Sequence, residues 1–358
     1  MIIVDAHLDL AYNALRHGRD LLLPLAELRA HEEQTRAPVL KVNGVATVTL
    51  PELRKAGVGL VLGSLFVAPI SRVTGEHDGR FIYENSVQAH ALAMEQLDYY
   101  RRLADEVDYI RLVTDRSTID EIVESFSSET DRLVGIVPMM EGADAIREPA
   151  EAEMWFELGL RVIALAWDDT RYSAGAWRGV GGLTDDGRRL MEVMADLGII
   201  LDLTHMSEEA TLQALDSFEG QVIASHSNAR SIVGTQRQLG DKQIRLIAER
   251  HGVIGVVLFN TFLKANHEKG DDKQAVSIKQ LIAHIDHICQ TIGDANHVGI
   301  GSDLDGGFGA EDIPFELDTA SDLSLIGKGL IEYGYDPEDV EKIMGTNWLR
   351  LLGSSLPD

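Results

Sequence analysis

The chain has 358 residues, 45% of them hydrophobic and 25% charged, which is enough for one large α/β domain with a sizeable core. Its formal net charge of −26 excludes the broad basic face that a nucleic-acid partner needs and disfavours anionic membrane surfaces. Cys289 is the only cysteine, so no internal disulfide forms and a reducing, cytoplasmic setting is expected.

The opening MIIVDAHLDL has no basic segment ahead of an apolar one, so no signal peptide is expected. No apolar stretch approaches the ~18 residues of a membrane span. Short, β-branched apolar runs occupy residues 2–4, 59–67, 109–114, 134–140, 161–167, 199–204, 221–225, 253–259 and 298–302. Near-continuous apolar runs of this length read as parallel strands buried on both faces.

Helical patterns fill the intervals. Segment 21–53 is long for one βα connection and is expected to decorate a barrel mouth or carry a small hairpin. Segment 68–79 mixes Pro, Gly and charges and reads as a mobile rim. In 80–104, Ile82, Val87, Ala91, Met94 and Leu97 recur at helical spacing. Thr184 caps a helix that Gly198 ends. Asp336-Pro337 opens the last helix, with Gly353 expected after it.

About eight βα units favour a (β/α)₈ barrel, one domain over 1–358. No G-x-G-x-x-G follows the first run, which removes the best sign of a dinucleotide-binding sheet.

The polar residues that close these runs carry the chemistry. In Asp5-Ala6-His7-Leu8-Asp9, strand alternation puts His7 and Asp9 on one side. Alone, H-x-D is equally a capping Asp beside a buried His. Glu141 closes run 134–140, and a buried carboxylate needs a partner, either a cation or a salt bridge. His205 and His226 end two consecutive runs at the same topological height. Asp303 ends the final run, placed to exchange a proton with an activated water. Asp305 reads as an Asx turn with Gly306.

His7, Asp9, Glu141, His205 and His226 suit two cations sharing a bridging Glu and a bridging hydroxide that attacks a carbonyl. N/O donors fit zinc, with manganese, cobalt or iron as lesser options. Hydrolysis of an amide, ester or phosphoester is the implied reaction class. A mononuclear deaminase-type barrel would want His-x-His at the first strand. A barrel kept only as a metal-binding scaffold is the minor alternative.

The sequence resembles the membrane dipeptidase (renal dipeptidase) family of zinc-dependent, amidohydrolase-like barrels. The stretches that carry the resemblance are VDAHLDL, LPELRKAGVGLVLGSLFV, MMEGADAI, GLTDDGRRLMEVMADLGIILDLTHMS, IASHSNARSI and VGIGSDLDGG, spread over residues 4–307. The resemblance implies a binuclear zinc dipeptidase. His7, Asp9 and Glu141 would ligate one ion, and Glu141, His205 and His226 the other. Asp303 would be the acid/base, and Arg237 would pair with the carboxylate of a small-molecule substrate. Family members often pair, so a homodimer is a further expectation.

Two positions depart from the family pattern. Trp167 stands where family dipeptidases place a substrate-contacting His, and Phe262 where they place a Tyr. An indole donates one hydrogen bond and carries no charge. Arg171 or Tyr172 is then expected to stabilise the oxyanion, and Asp168 to bind a substrate amine. The altered pocket leaves open another substrate for the same site: an N-acyl amino acid, a D-residue dipeptide, a lactam or a lactone.

Overall fold

The computed structural model describes residues 1–73 and 80–358. Its main sheet holds nine parallel strands: β1 Ile3–Leu8, β2 Val58–Phe66, β3 Ile110–Leu112, β4 Val134–Glu141, β5 Val162–Ala164, β6 Ile200–Asp202, β7 Val222–Ile223, β8 Ile254–Val256 and β9 Val298–Ile300. Eight of them follow one path, β8-β9-β1-β2-β4-β5-β6-β7. A bridge between Ala224 and Ile254 brings β7 back to β8. With helices between the strands, this is a nearly closed (β/α)₈ barrel.

Nine apolar runs for eight barrel strands leaves one over, and β3 is that one. It pairs only with the lower part of β4, Ile110 beside Val134 and Leu112 beside Ile136. The short β5 takes the upper part of the same edge, Met139 beside Val162 through Glu141 beside Ala164. An apolar run reports burial, not which edge a strand joins. Every strand residue of β1, β2 and β4 is buried.

Segment 21–53 is helical, with helices Leu25–Thr35 and Val39–Val42 and the start of Leu50–Ala56, and no hairpin forms in it. It is locked over the barrel by Arg19, which is 2% exposed. The Arg19 guanidinium bonds Glu32 at 2.9 Å and the Gly44 carbonyl at 2.6 Å, and sits 3.3 Å from Asp305. Asp305 also accepts from the backbone N and the hydroxyl of Thr47. It is therefore the anchor of this segment rather than an Asx turn with Gly306.

The helix in 80–104 runs Ser86–Glu106, capped by Asn85. Its buried face is Ala89, Ala93, Gln96, Leu97, Tyr100 and Leu103. Val87, expected inside, is 63% exposed. Small Ala residues give the close approach, and Gln96 is buried because its amide bonds both backbone groups of Phe66. Thr184 and Gly198 cap Asp185–Leu197 as expected. The last helical stretch runs from Pro337 through a π-turn to Ser355, so Gly353 lies inside it. Of the expected rim 68–79, residues 74–79 lie outside the described residues. Among the described residues, no helix is long and apolar enough to cross a membrane.

Candidate metal centre and its cavity

The C-terminal strand ends converge on one buried cluster. His7 lies in β1, Glu141 ends β4, and His205, His226 and Asp303 follow β6, β7 and β9. Asp9 starts the helix Leu10–His17. His205 and Asp303 have left-handed backbone, φ 67° and 59°, a conformation that L-residues hold only when the surroundings enforce it. Gly306 is required beside Asp303, since a Cβ there would fall 1.8 Å from the Asp303 carboxylate.

Glu141 sits at the centre. Its Oε2 lies 3.6 Å from His7 Nε2, and its Oε1 lies 3.0 Å from His205 Nε2 and 3.4 Å from His226 Nε2. His7 Nε2 is also 3.8 Å from Asp9 and 3.9 Å from Asp303. One carboxylate thus faces two groups of donors with two different oxygens.

A buried hydrogen-bond relay orients one of the imidazoles. Asp202 accepts the Ser225 hydroxyl at 2.5 Å, and that hydroxyl is 2.7 Å from His226 Nδ1. The hydroxyl has one proton, already given to Asp202, so Nδ1 carries the hydrogen here. Nε2 then turns its lone pair toward Glu141. Asp5 grips Ser302, the residue before Asp303, in the same way through backbone N and hydroxyl. Ser64 donates to Asp9. Asp5, Ser64, Asp202, Ser225 and Ser302 are absent from the sequence expectations. Their only sequence trace is a polar residue inside an apolar run, or a serine directly before a site residue.

The electrostatics fit a site for a cation. Burial, with help from Arg237, pushes His7 down to about 3. Burial also holds His205 and His226 well below the ordinary imidazole value. All three rings are neutral near pH 7, with lone pairs available. Burial first, and the Asp9 charge second, push Glu141 and Asp303 well above the carboxylate range. Asp9 itself is pushed up to about 6 by burial.

Imidazole lone pairs and Glu141 thus converge at 3.0–3.4 Å, and the raised proton affinity of Glu141 expresses the same demand for positive charge that a cation would meet. Among the described residues, neither ring nitrogen of His7 has a hydrogen-bond partner. A buried cluster of this kind is costly unless positive charge fills it, and a divalent cation inverts this local logic. Two overlapping groups, His7–Glu141–His226 and His7–Asp9–Asp303, bring their ligand atoms close enough to hold an ion.

Above the cluster opens a cavity of about 430 Å³, a volume within the ~300–1,000 Å³ typical of ligand sites. Asp9, Glu141, His205, His226, Asp303, Arg237, Trp167 and Phe262 all line it. Arg237 is 4% exposed. It donates to the His226 carbonyl at 2.9 Å and to Ser227 at 3.2 Å, and its Nη2 lies 3.2 Å from His205 Nε2. The Phe262 ring lies 5.5 Å from its guanidinium carbon. Aromatic rings run on around the wall, from Tyr12 to Phe66 at 5.0 Å and from Phe66 to Trp167 at 5.0 Å.

Three expected substrate contacts are placed elsewhere. Asp168 is 2% exposed and is held by Arg178 at 3.2 Å and Arg72 at 3.7 Å, so its charge is already matched. Tyr172 is buried and its hydroxyl donates to the Ile146 carbonyl. Arg171 bonds the Arg147 carbonyl and lies 3.4 Å from Asp186. None of the three lines the cavity. They brace the connection after β5 instead.

Comparisons with known proteins agree with this picture. The profile of the membrane dipeptidase family (peptidase family M19) matches residues 1–355. An uncharacterised protein from the pqqA 5′ region of Klebsiella pneumoniae is 30% identical over 231 residues, 62% of this chain and 82% of its own length. Dipeptidase 3 of Mus musculus is 26% identical over 269 residues, 73% of this chain and 51% of its own length. A metallopeptidase from Rhodobacter sphaeroides, solved with a phosphinate mimic of the dipeptide L-Ala-D-Ala, shares the fold. Its TM-score is 0.79 at 22% identity, with 99% of both chains covered.

Proposed function

The chain belongs to the membrane dipeptidase family, and we propose that this metal-dependent hydrolase cleaves short peptides, dipeptides foremost, with two divalent cations in its cradle. The observation that carries the reading is Glu141, whose two oxygens face different donor groups. His7 and Asp9 would join it on one ion, His205 and His226 on the other. Zinc suits these N/O donors best, with manganese, cobalt or iron as lesser options. When bound, the ions supply Lewis acidity that polarises an amide carbonyl and activates water for attack.

The chain's own residues do the rest. Arg237 is a buried fork at the cavity wall, suited to a substrate carboxylate, and its Nε has no hydrogen-bond partner among the described residues. Fixing that carboxylate sets the distance from substrate terminus to scissile bond. Asp303 sits beside His7 with its proton affinity raised by burial. Its carboxylate would take a proton from the attacking water and give it to the leaving amine. The names of two relatives support the substrate class: one is a dipeptidase, and the other was solved with a dipeptide mimic.

Trp167 on the cavity wall favours a second reading, the same cradle acting on an N-acyl amino acid, a D-residue dipeptide, a lactam or a lactone. The two readings separate in one assay. The zinc-supplemented chain is incubated with L-L and L-D dipeptides, N-acyl amino acids, a lactam and a lactone, and product release is measured. Faster cleavage of unblocked L-L dipeptides supports the first reading. Cleavage confined to any of the other classes supports the second, and no turnover with any cation contradicts both.

A further inference from the structure

The wall beside Arg237 is a construction in its own right. The Arg72 guanidinium carbon lies 5.9 Å from the Trp167 ring and 5.8 Å from the Trp177 ring. Asp168 matches that cation and also holds Arg178, so the charge pairs sit behind the rings and the rings face the cavity. Trp177 continues to Phe262 at 6.4 Å, and Phe262 lies against Arg237. Trp177 remains 40% exposed, an open indole at the mouth of a chain whose net charge is −26. Large apolar surface left open at a cavity mouth marks a contact surface for a ligand.

Because Phe262 lies 5.5 Å from the Arg237 guanidinium and Trp177 lies 6.4 Å from Phe262, a carboxylate seated on Arg237 would bring its adjoining side chain toward these two rings. Beyond Trp167 the same wall runs on to Phe66 and Tyr12, the latter on the helix that Asp9 starts. We propose that Trp167, Trp177 and Phe262 form a subsite for an aromatic or large aliphatic side chain on the carboxylate-bearing residue of the substrate. This rests on the dipeptidase reading and adds to it a side-chain class and a position. Arg72, paired with Asp168, touches both indoles from behind and acts on the subsite only through them.

The test is kcat/KM for two dipeptide series with the metal-loaded chain. One varies the second residue through Gly, Ala, Leu and Phe in both configurations, and the other varies the first. Burying a side chain of this size is expected to favour Phe or Leu over Gly at the second position by about tenfold or more, mainly through KM. Trp177→Ala and Phe262→Ala should each bring that ratio to about threefold or less, while Trp177→Phe, which keeps a ring, retains most of it. Equal cleavage across the series, a preference confined to the first residue, or an unchanged ratio in both alanine variants overturns the subsite and leaves the dipeptidase reading standing. Cleavage of no dipeptide overturns that reading, and the subsite with it.

Discussion

On the floor of the cavity, His7 and Glu141 lie within strands, and His205, His226 and Asp303 follow the ends of others, where the barrel ladder fixes the backbone. On the wall, Trp177 and Phe262 come from the connections between strands and are held by ring contacts and, for Trp177, by the Arg72 guanidinium behind it. The floor is braced from beneath by Asp5–Ser302 and Asp202–Ser225. The wall is braced from behind by Asp168. Chemistry that needs ligand atoms placed to a fraction of an ångström sits on the rigid part. Recognition, which tolerates looser placement, sits on the part free to vary.

The sharpest way to break this contrast is on the floor. Glu141→Ala removes the group shared by both donor sets. It should strip both cations and lower kcat/KM on the order of 10³-fold or more. A variant that keeps full metal content would show that Glu141 bridges nothing.

Asp305→Ala probes the anchor of the segment over the barrel. Removing one member of the buried Arg19–Asp305 pair should cost about 3 kcal/mol in denaturant unfolding, with little change in slope. A loss under about 1 kcal/mol would mean that Glu32 suffices.

Ser225→Ala cuts the relay behind His226 without replacing any residue of the cradle. Metal affinity, read by competition with a chelating indicator, should weaken by about 10–100-fold. Unchanged affinity would make the relay a packing feature only. Arg171→Ala should do least, changing stability by no more than about 0.5 kcal/mol. A tenfold loss of turnover in that variant would return Arg171 to the site.

The same contrast explains what the sequence makes legible. His7, Glu141, His205, His226 and Asp303 can be read because each closes an apolar run, and the run itself is the signal. Asp9 follows from strand alternation. Trp167 is recognisable by its place at the end of a run, although its partner Arg72 lies 95 positions away in the chain. Asp168 misleads for that reason: an acid near a site reads as a ligand for an amine until the two arginines that neutralise it are in view. Tyr172 misleads likewise, since its hydroxyl is spent on the Ile146 carbonyl. In the helix Ser86–Glu106 the exposed Val87 outranks the buried Ala93 in hydropathy, so of the expected stripe Leu97 is buried and Val87 is not. Strand β3 shows the limit for topology, because its apolar run reads like those of the eight strands on the barrel path, although it pairs only with the lower part of β4.

The central claim, that Glu141 divides one buried cluster into two cation sites, is tested most directly by titrating the metal-free chain with zinc while counting bound ions and measuring turnover. Two ions per chain, with activity lost on chelation and restored by zinc, is the predicted result. Saturation at a single ion with full activity, or less than about 0.3 ion per chain with any divalent cation, would contradict it.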